Sequence, residues 1–95
     1  MKDRMEIRTT PENAAFFEAL GSRTRLEILA MLAEGPRSVS ELAEGLGLSV
    51  TIAARHVRQL EEAGILRTER VPGKRGVQRR CELALSRCTA VFGNP

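Results

Sequence analysis

The stretch from Val39 to Leu66 constrains this chain more than any other. It reads as one short helix, a tight turn at Gly47, and a longer helix that begins after Ser49 and stops before Gly64. Gly47 can adopt the left-handed backbone that such a corner needs, and Ser49 is a good N-cap for the longer helix. Ala53, Val57 and Leu60 fall at i, i+4 and i+7, the spacing of a core-facing stripe on the second helix. Two helices joined this way predict a helix-turn-helix. A basic strand–loop–strand comes directly after it, from Arg67 to Arg80. A protruding helix beside a basic hairpin is a shape that fits DNA.

Charge is distributed in the same sense. The chain carries a net charge of +3, but residues 1–48 hold six Lys/Arg against eight Asp/Glu, and residues 49–95 hold nine against four. The basic excess begins with the second helix of the motif, which points to a polyanion partner for that half. Ninety-five residues make one domain with one core. Its only aromatics are three Phe, so the core is built from aliphatic residues and Met, and aromatic platforms for stacking single-stranded bases are excluded. The sequence lacks an apolar run of about 18 residues that would span a membrane. The charged N-terminus is not followed by the apolar segment of a signal peptide. Two cysteines do not make a disulfide framework, and a reducing cytoplasm is the expected compartment.

The organisation expected is an N-terminal arm over residues 1–10, a DNA-binding domain over 11–85 and a tail over 86–95. The fold class is mainly α with a small β-hairpin, in the order α-α-β-α-α-β-β. The arm is frayed or extended. Thr10 and Pro11 start a first helix that ends at Gly21, and Ser22 caps a second that ends at Glu34–Pro36. For the third helix, Ser40 is the favoured N-cap, ahead of Glu41–Leu46, and a capping box of Ser38 with Glu41 is the alternative start. Ile65–Val71 and Val77–Leu85 read as strands around a loop at Pro72–Gly76. The tail admits a third strand or a brief helix near Ala90–Phe92.

On the second helix of the motif, Val50, Thr51, Ala54, Arg55 and Arg58 lie mainly opposite the core stripe, with Ser49 at its start. Arg55 or Arg58 can bond bidentately to guanine, worth roughly 1–3 kcal/mol of discrimination. Thr51 can reach a base or phosphate, and Val50 and Ala54 offer apolar contact to a thymine methyl. Arg58 also has Glu61 and Glu62 within intrahelical pairing distance, whereas Arg55 has no such acid. In the hairpin, Lys74 and Arg75 at the tip are the best candidates for a phosphate or the minor groove. Arg67, Arg70, Arg79 and Arg80 cannot all face DNA, because strand residues alternate between faces.

The sequence resembles the ArsR/SmtB-like winged helix-turn-helix repressors. The similarity runs from about Phe16 to Leu83 and is carried by Ala19–Leu29, Ser40–Ala43, Leu46–Ser49, Arg55–Val57, Leu60–Leu66 and the basic wing. The resemblance implies a homodimer on a near-palindromic operator, with residues 49–63 in the major groove and the wing at 72–76 beside it. Dimer contacts in this family come from the first helix and a last helix. Phe16, Phe17 and Leu20 could serve from the first, and Phe92 from a tail too short and too rich in helix breakers for a long last helix. The family's best-known metal site, a Cys-x-Cys at the start of the third helix, corresponds to Ser38 and Ser40, so it is absent here.

Cys81 and Cys88 remain. Cys81 shares strand parity with Val77, Leu83 and Leu85 and reads as a small core residue. A redox switch at Cys81 and Cys88, with Arg79, Arg80 and Arg87 lowering a thiol pKa, is the sharper alternative. A metal site of both cysteines with His56 fits no standard spacing, and His56 reads as a packed structural residue. The chain has no plausible nucleophile–base pair and no phosphate loop followed by Lys-Ser/Thr, so it does not read as an enzyme. No cofactor is expected, and no effector is indicated. The expected partner is double-stranded DNA, and the competing reading is a winged-helix module that binds protein.

Overall fold

A computed structural model describes residues 3–73 and 76–93 of the chain. Three helices form the centre: α2 (Arg23–Leu32), α3 (Val39–Leu46) and α4 (Val50–Glu62). A 3-10 turn at Pro11–Asn13 leads into the shorter α1 (Ala14–Leu20). Ile28, Leu42, Val57 and Leu60 are fully buried where these helices meet, and Phe16 and Ala19 close the core from α1. At the helix-turn-helix corner Gly47 has φ +67°, and Leu48 N–H reaches back to Ala43 C=O at 2.9 Å. Beyond α4, Gly64 has φ +79°, the left-handed step that turns the chain into the next strand.

The wing is the hairpin β3 (Leu66–Gly73) and β4 (Gly76–Leu83), paired from Leu66↔Leu83 to Gly73↔Gly76. The short β2 (Arg37–Ser38) adds to the other edge of β4, through Arg37↔Cys81 and Ser38↔Arg80. This pairing fixes the start of α3 against the base of the wing. The strands run closer to the tip than the expected loop at Pro72–Gly76, because Pro72 and Gly73 are themselves paired. Lys74 and Arg75, the wing-tip candidates, lie outside the described residues.

Two local expectations are corrected. The third helix is capped by Ser38, not Ser40. The Ser38 hydroxyl accepts from Glu41 N–H at 3.1 Å, and the Glu41 carboxylate accepts from Ser38 N–H at 2.8 Å, a complete capping box. The same bond to the Ser38 backbone holds the Glu41 carboxyl below its ordinary pKa. Thr10 makes no side-chain cap; Pro11 at the first position starts the 3-10 turn instead. Ser22 and Ser49 cap α2 and α4 as expected.

The order α-α-β-α-α-β-β is present and is flanked by two further strands. The arm is extended as β1 (Arg4–Arg8), and the tail forms β5 (Arg87–Val91). They pair in parallel with each other, Arg4↔Arg87 through Arg8↔Val91, and make a separate two-stranded sheet. Met5 and Ile7 pack their apolar side against the core.

Candidate nucleic-acid interface

The apolar stripe of α4 behaves as its spacing predicts: Ala53, Val57 and Leu60 are completely buried. Rotation by half a helical turn brings out Thr51, Arg55, Arg58 and Glu62, all of which keep contact with solvent. Among the described residues neither Arg55 nor Arg58 forms an ion pair. Glu61, which could have engaged Arg58, is turned away. Its carboxylate accepts from the Arg79 guanidinium at 3.2 Å and from the Thr68 hydroxyl at 2.7 Å. Arg55 and Arg58 therefore border an open groove of about 360 Å3 between α1 and α4, together with Glu18 and Glu62.

Ser49 caps α4, and the five candidates on the helix itself divide into two sets. Val50 and Ala54 face the wing, not the Arg55 side. They line a second cleft, of about 220 Å3, with Ser40 at the start of α3 and Val77, Gln78 and Arg79 on β4. Val77 is 70% exposed although it shares strand parity with the buried Cys81. The parity is right, but the hairpin outruns the core, so its outer residues have nothing to pack on. Val77 and Gln78 are thus additions to the candidate surface. Their only signal in the sequence was the position of Val77 two strand steps beyond the last core residue.

The wing arginines differ in their surroundings. Arg67 pairs with Glu82 at 2.8 Å, and Glu69 lies opposite Arg80 in the register, all on one face of the hairpin. Arg70 and Arg79 are opposite each other on the face shared with Cys81. Glu61 relieves that like-charge pair at Arg79, while Arg70 has no acid at ion-pair distance among the described residues. The Glu61–Arg79–Thr68 contacts, invisible in the sequence, tie the outer end of α4 to the wing.

A second tie holds the other side of α4. Arg25 donates to Ala19 C=O at 2.8 Å, to Glu18 C=O at 2.9 Å and to His56 Nδ1 at 3.1 Å. A guanidinium only donates, so His56 accepts at Nδ1 and carries its proton on Nε2. Burial, with Arg25 and Arg55 nearby, depresses the His56 pKa below the ordinary 6.5. His56 is the packed structural residue anticipated. Among the described residues no group of three or more His, Cys, Asp or Glu side chains could hold a metal.

Two candidate roles change. Cys81 is completely buried, and burial pushes its thiol up to about 11, so it carries almost no thiolate near neutral pH. It packs as a core residue, while Cys88 is exposed. Phe16 is 6% exposed and belongs mainly to the protomer's own core, where it also walls an apolar pocket beside Cys88. Phe17 and Leu20 are half-buried, and Phe92 is 79% exposed.

Comparison with known proteins agrees with this geometry. A family described as a helix-turn-helix domain matches residues 20–69. An uncharacterised HTH-type transcriptional regulator of Methanocaldococcus jannaschii is 37% identical over 54 residues, which are 57% of this chain and 57% of that protein. The match thus spans little more than half the length of that curated relative. The crystal structure of an ArsR family transcriptional regulator superposes with a TM-score of 0.63 at 34% identity, covering 74% of this chain and 72% of that one. The solution structure of the homodimeric winged helix-turn-helix DNA-binding domain of a Mycobacterium bovis protein gives a TM-score of 0.66 at 30% identity, covering 75% of this chain and 62% of that one. This chain belongs to the ArsR family of winged helix-turn-helix transcriptional regulators. The family is one of regulators, not enzymes. Among the described residues no helix is long and apolar enough to cross a membrane.

Proposed function

We propose that this chain binds double-stranded DNA as a homodimer and regulates transcription by occupying an operator, with α4 in the major groove. The observation that carries this reading is the outward stripe of Thr51, Arg55 and Arg58. Its two arginines reach solvent and lack ion-pair partners among the described residues, on a helix clamped at both sides by the Arg25–His56 and Glu61–Arg79 contacts. A rigid helix presenting uncompensated guanidinium groups matches the bidentate acceptors of guanine. Ser49 and Thr51 lie at the helix start, where base and phosphate contacts concentrate. Val50 and Ala54 supply apolar contact on the wing side of the groove. Arg70, Lys74 and Arg75 take the backbone or the minor groove beside it. The homodimeric Mycobacterium bovis domain supports the proposed assembly, and two copies would read a near-palindrome. Phe17, Leu20 and Phe92 are the proposed dimer contacts. Simple occlusion of a promoter makes the chain a repressor acting in the cytoplasm.

Selection from a pool of genomic fragments, followed by titration across a salt series, tests the proposal. The expected result is an enriched near-palindrome and a log–log salt slope of roughly −5 for every six phosphates neutralised. Salt-sensitive binding without an enriched sequence would make the chain an architectural binder. Absence of binding at low salt would overturn the DNA reading in favour of a protein-binding module.

A further inference from the structure

The terminal sheet has one face that the domain covers only at β1. Met5 lies beside Cys88 and Ile7 beside Ala90, so these four residues share a face, and Phe92 continues it by strand alternation. Met5 and Ile7 are packed on the core. Cys88, Ala90 and Phe92, in the same layer one strand further out, are all exposed. Cys88 also lines a mostly apolar pocket of about 180 Å3, walled by Phe16, Leu20, Leu29, Leu83 and Leu85 and bordered by the charged Arg87.

The backbone of β5 is half used. Thr9 N–H donates to Val91 C=O at 3.0 Å and Arg87 N–H donates to Asp3 C=O at 3.2 Å, so the odd-numbered residues face β1. Cys88, Ala90 and Phe92 accordingly turn their N–H and C=O groups to the open edge. Natural edge strands are commonly shielded by charge or proline. The wing strands carry charges along their length, whereas Cys88–Val91 contains none.

We propose that β5 pairs antiparallel with β5 of a second copy about a two-fold axis at Ala90, making a four-stranded intermolecular sheet. The occupant must be complementary to this edge, and the edge is complementary to itself. Centring the axis on Ala90 sets Ala90 opposite Ala90 in a mutual hydrogen-bonded pair and Phe92 opposite Cys88 of the other copy. Opposed residues share a face, so each exposed Phe92 ring falls over the mouth of the other protomer's apolar pocket. The only charged residue of β5, Arg87, falls opposite the neutral Gly93, so like charges do not meet. Each Phe92 brings on the order of 150–200 Å2 of surface into the contact. This inference rests on the homodimer reading and gives it an interface built from a strand, where the family resemblance implies a last helix.

Disulfide trapping in the full chain tests the register. An antiparallel hydrogen-bonded pair separates Cα atoms by about 5.5 Å, within the range a disulfide spans. The variant C88S/A90C should therefore form a covalent dimer on mild oxidation. Wild-type Cys88 should not, because the two copies of Cys88 are offset by about 13 Å along the strands. Phe92→Asp should weaken the dimer at least tenfold in sedimentation while leaving the circular dichroism spectrum unchanged. A dimer in solution that C88S/A90C fails to trap, or that Cys88 itself crosslinks, overturns this interface and leaves the homodimer standing. A chain that stays monomeric at all concentrations overturns both, and fragment selection tests DNA binding separately.

Discussion

The helix-turn-helix with its wing and the terminal sheet are made from opposite materials. The first is fixed by buried side chains and saturated caps, and it turns a charged face outward. The second is fixed mainly by backbone pairing between the chain ends, and it leaves uncharged, apolar residues bare. An exposed face of unpaired arginines suits a polyanion, because its ions are already solvated and lose little until phosphates replace water and counterions. An exposed apolar strand suits another protein surface, where burial and edge pairing act together. On the proposed reading, the same small domain separates recognition of DNA from association with a second copy.

Substitutions can break that contrast or sharpen it. The largest effect is expected inside the helical core. Leu60→Ala removes a fully buried side chain and should cost about 2–5 kcal/mol in denaturant unfolding, with DNA affinity falling only as the fold is lost. Arg55→Ala should do the reverse. Its melting temperature stays level while operator affinity drops roughly 5- to 150-fold, the equivalent of about 1–3 kcal/mol, and specificity relaxes at one base position. Arg4→Ala, an equal change of charge on β1 of the terminal sheet, should alter operator affinity less than about twofold; an effect matching Arg55→Ala would erase the division between the two regions.

Smaller changes test how the recognition helix is held. Ser38→Ala breaks the capping box beneath α3 and should cost about 1 kcal/mol by thermal or chemical unfolding. The His56 imidazole gives the mildest effect. Its folded pKa lies below the unfolded 6.5, so the unfolded chain takes up the proton first. Stability is fully present above about pH 6.5 and declines as pH falls toward the folded value. Melting curves at about pH 7.5 and about pH 5.5 should show this loss in the wild type and a smaller one in His56→Gln.

Much of the recognition region was legible in the sequence because its signals are local. Ala53, Val57 and Leu60 declare a buried stripe by spacing alone, and Gly47 marks a corner because few other residues adopt its backbone. Ser38 and Glu41 offered the right cap in competition with Ser40. The choice depended on β2, which holds Ser38 extended against Arg80 and so sets where the helix begins.

The sequence by itself determined the helices, the turn, the basic hairpin and the stripe that α4 turns outward, because each depends on neighbours within a few residues. Only the tertiary structure decided that Glu61 belongs to Arg79 and Thr68 rather than to Arg58. It alone set Val50 and Ala54 against Val77 and Gln78, and left Arg70 without an acid among the described residues. It also joined Arg4–Arg8 to Arg87–Val91 across nearly the whole chain. Strand pairing at that separation has no local periodicity to announce it. It forms because the folded core brings the two ends together and their unpaired backbone groups satisfy one another.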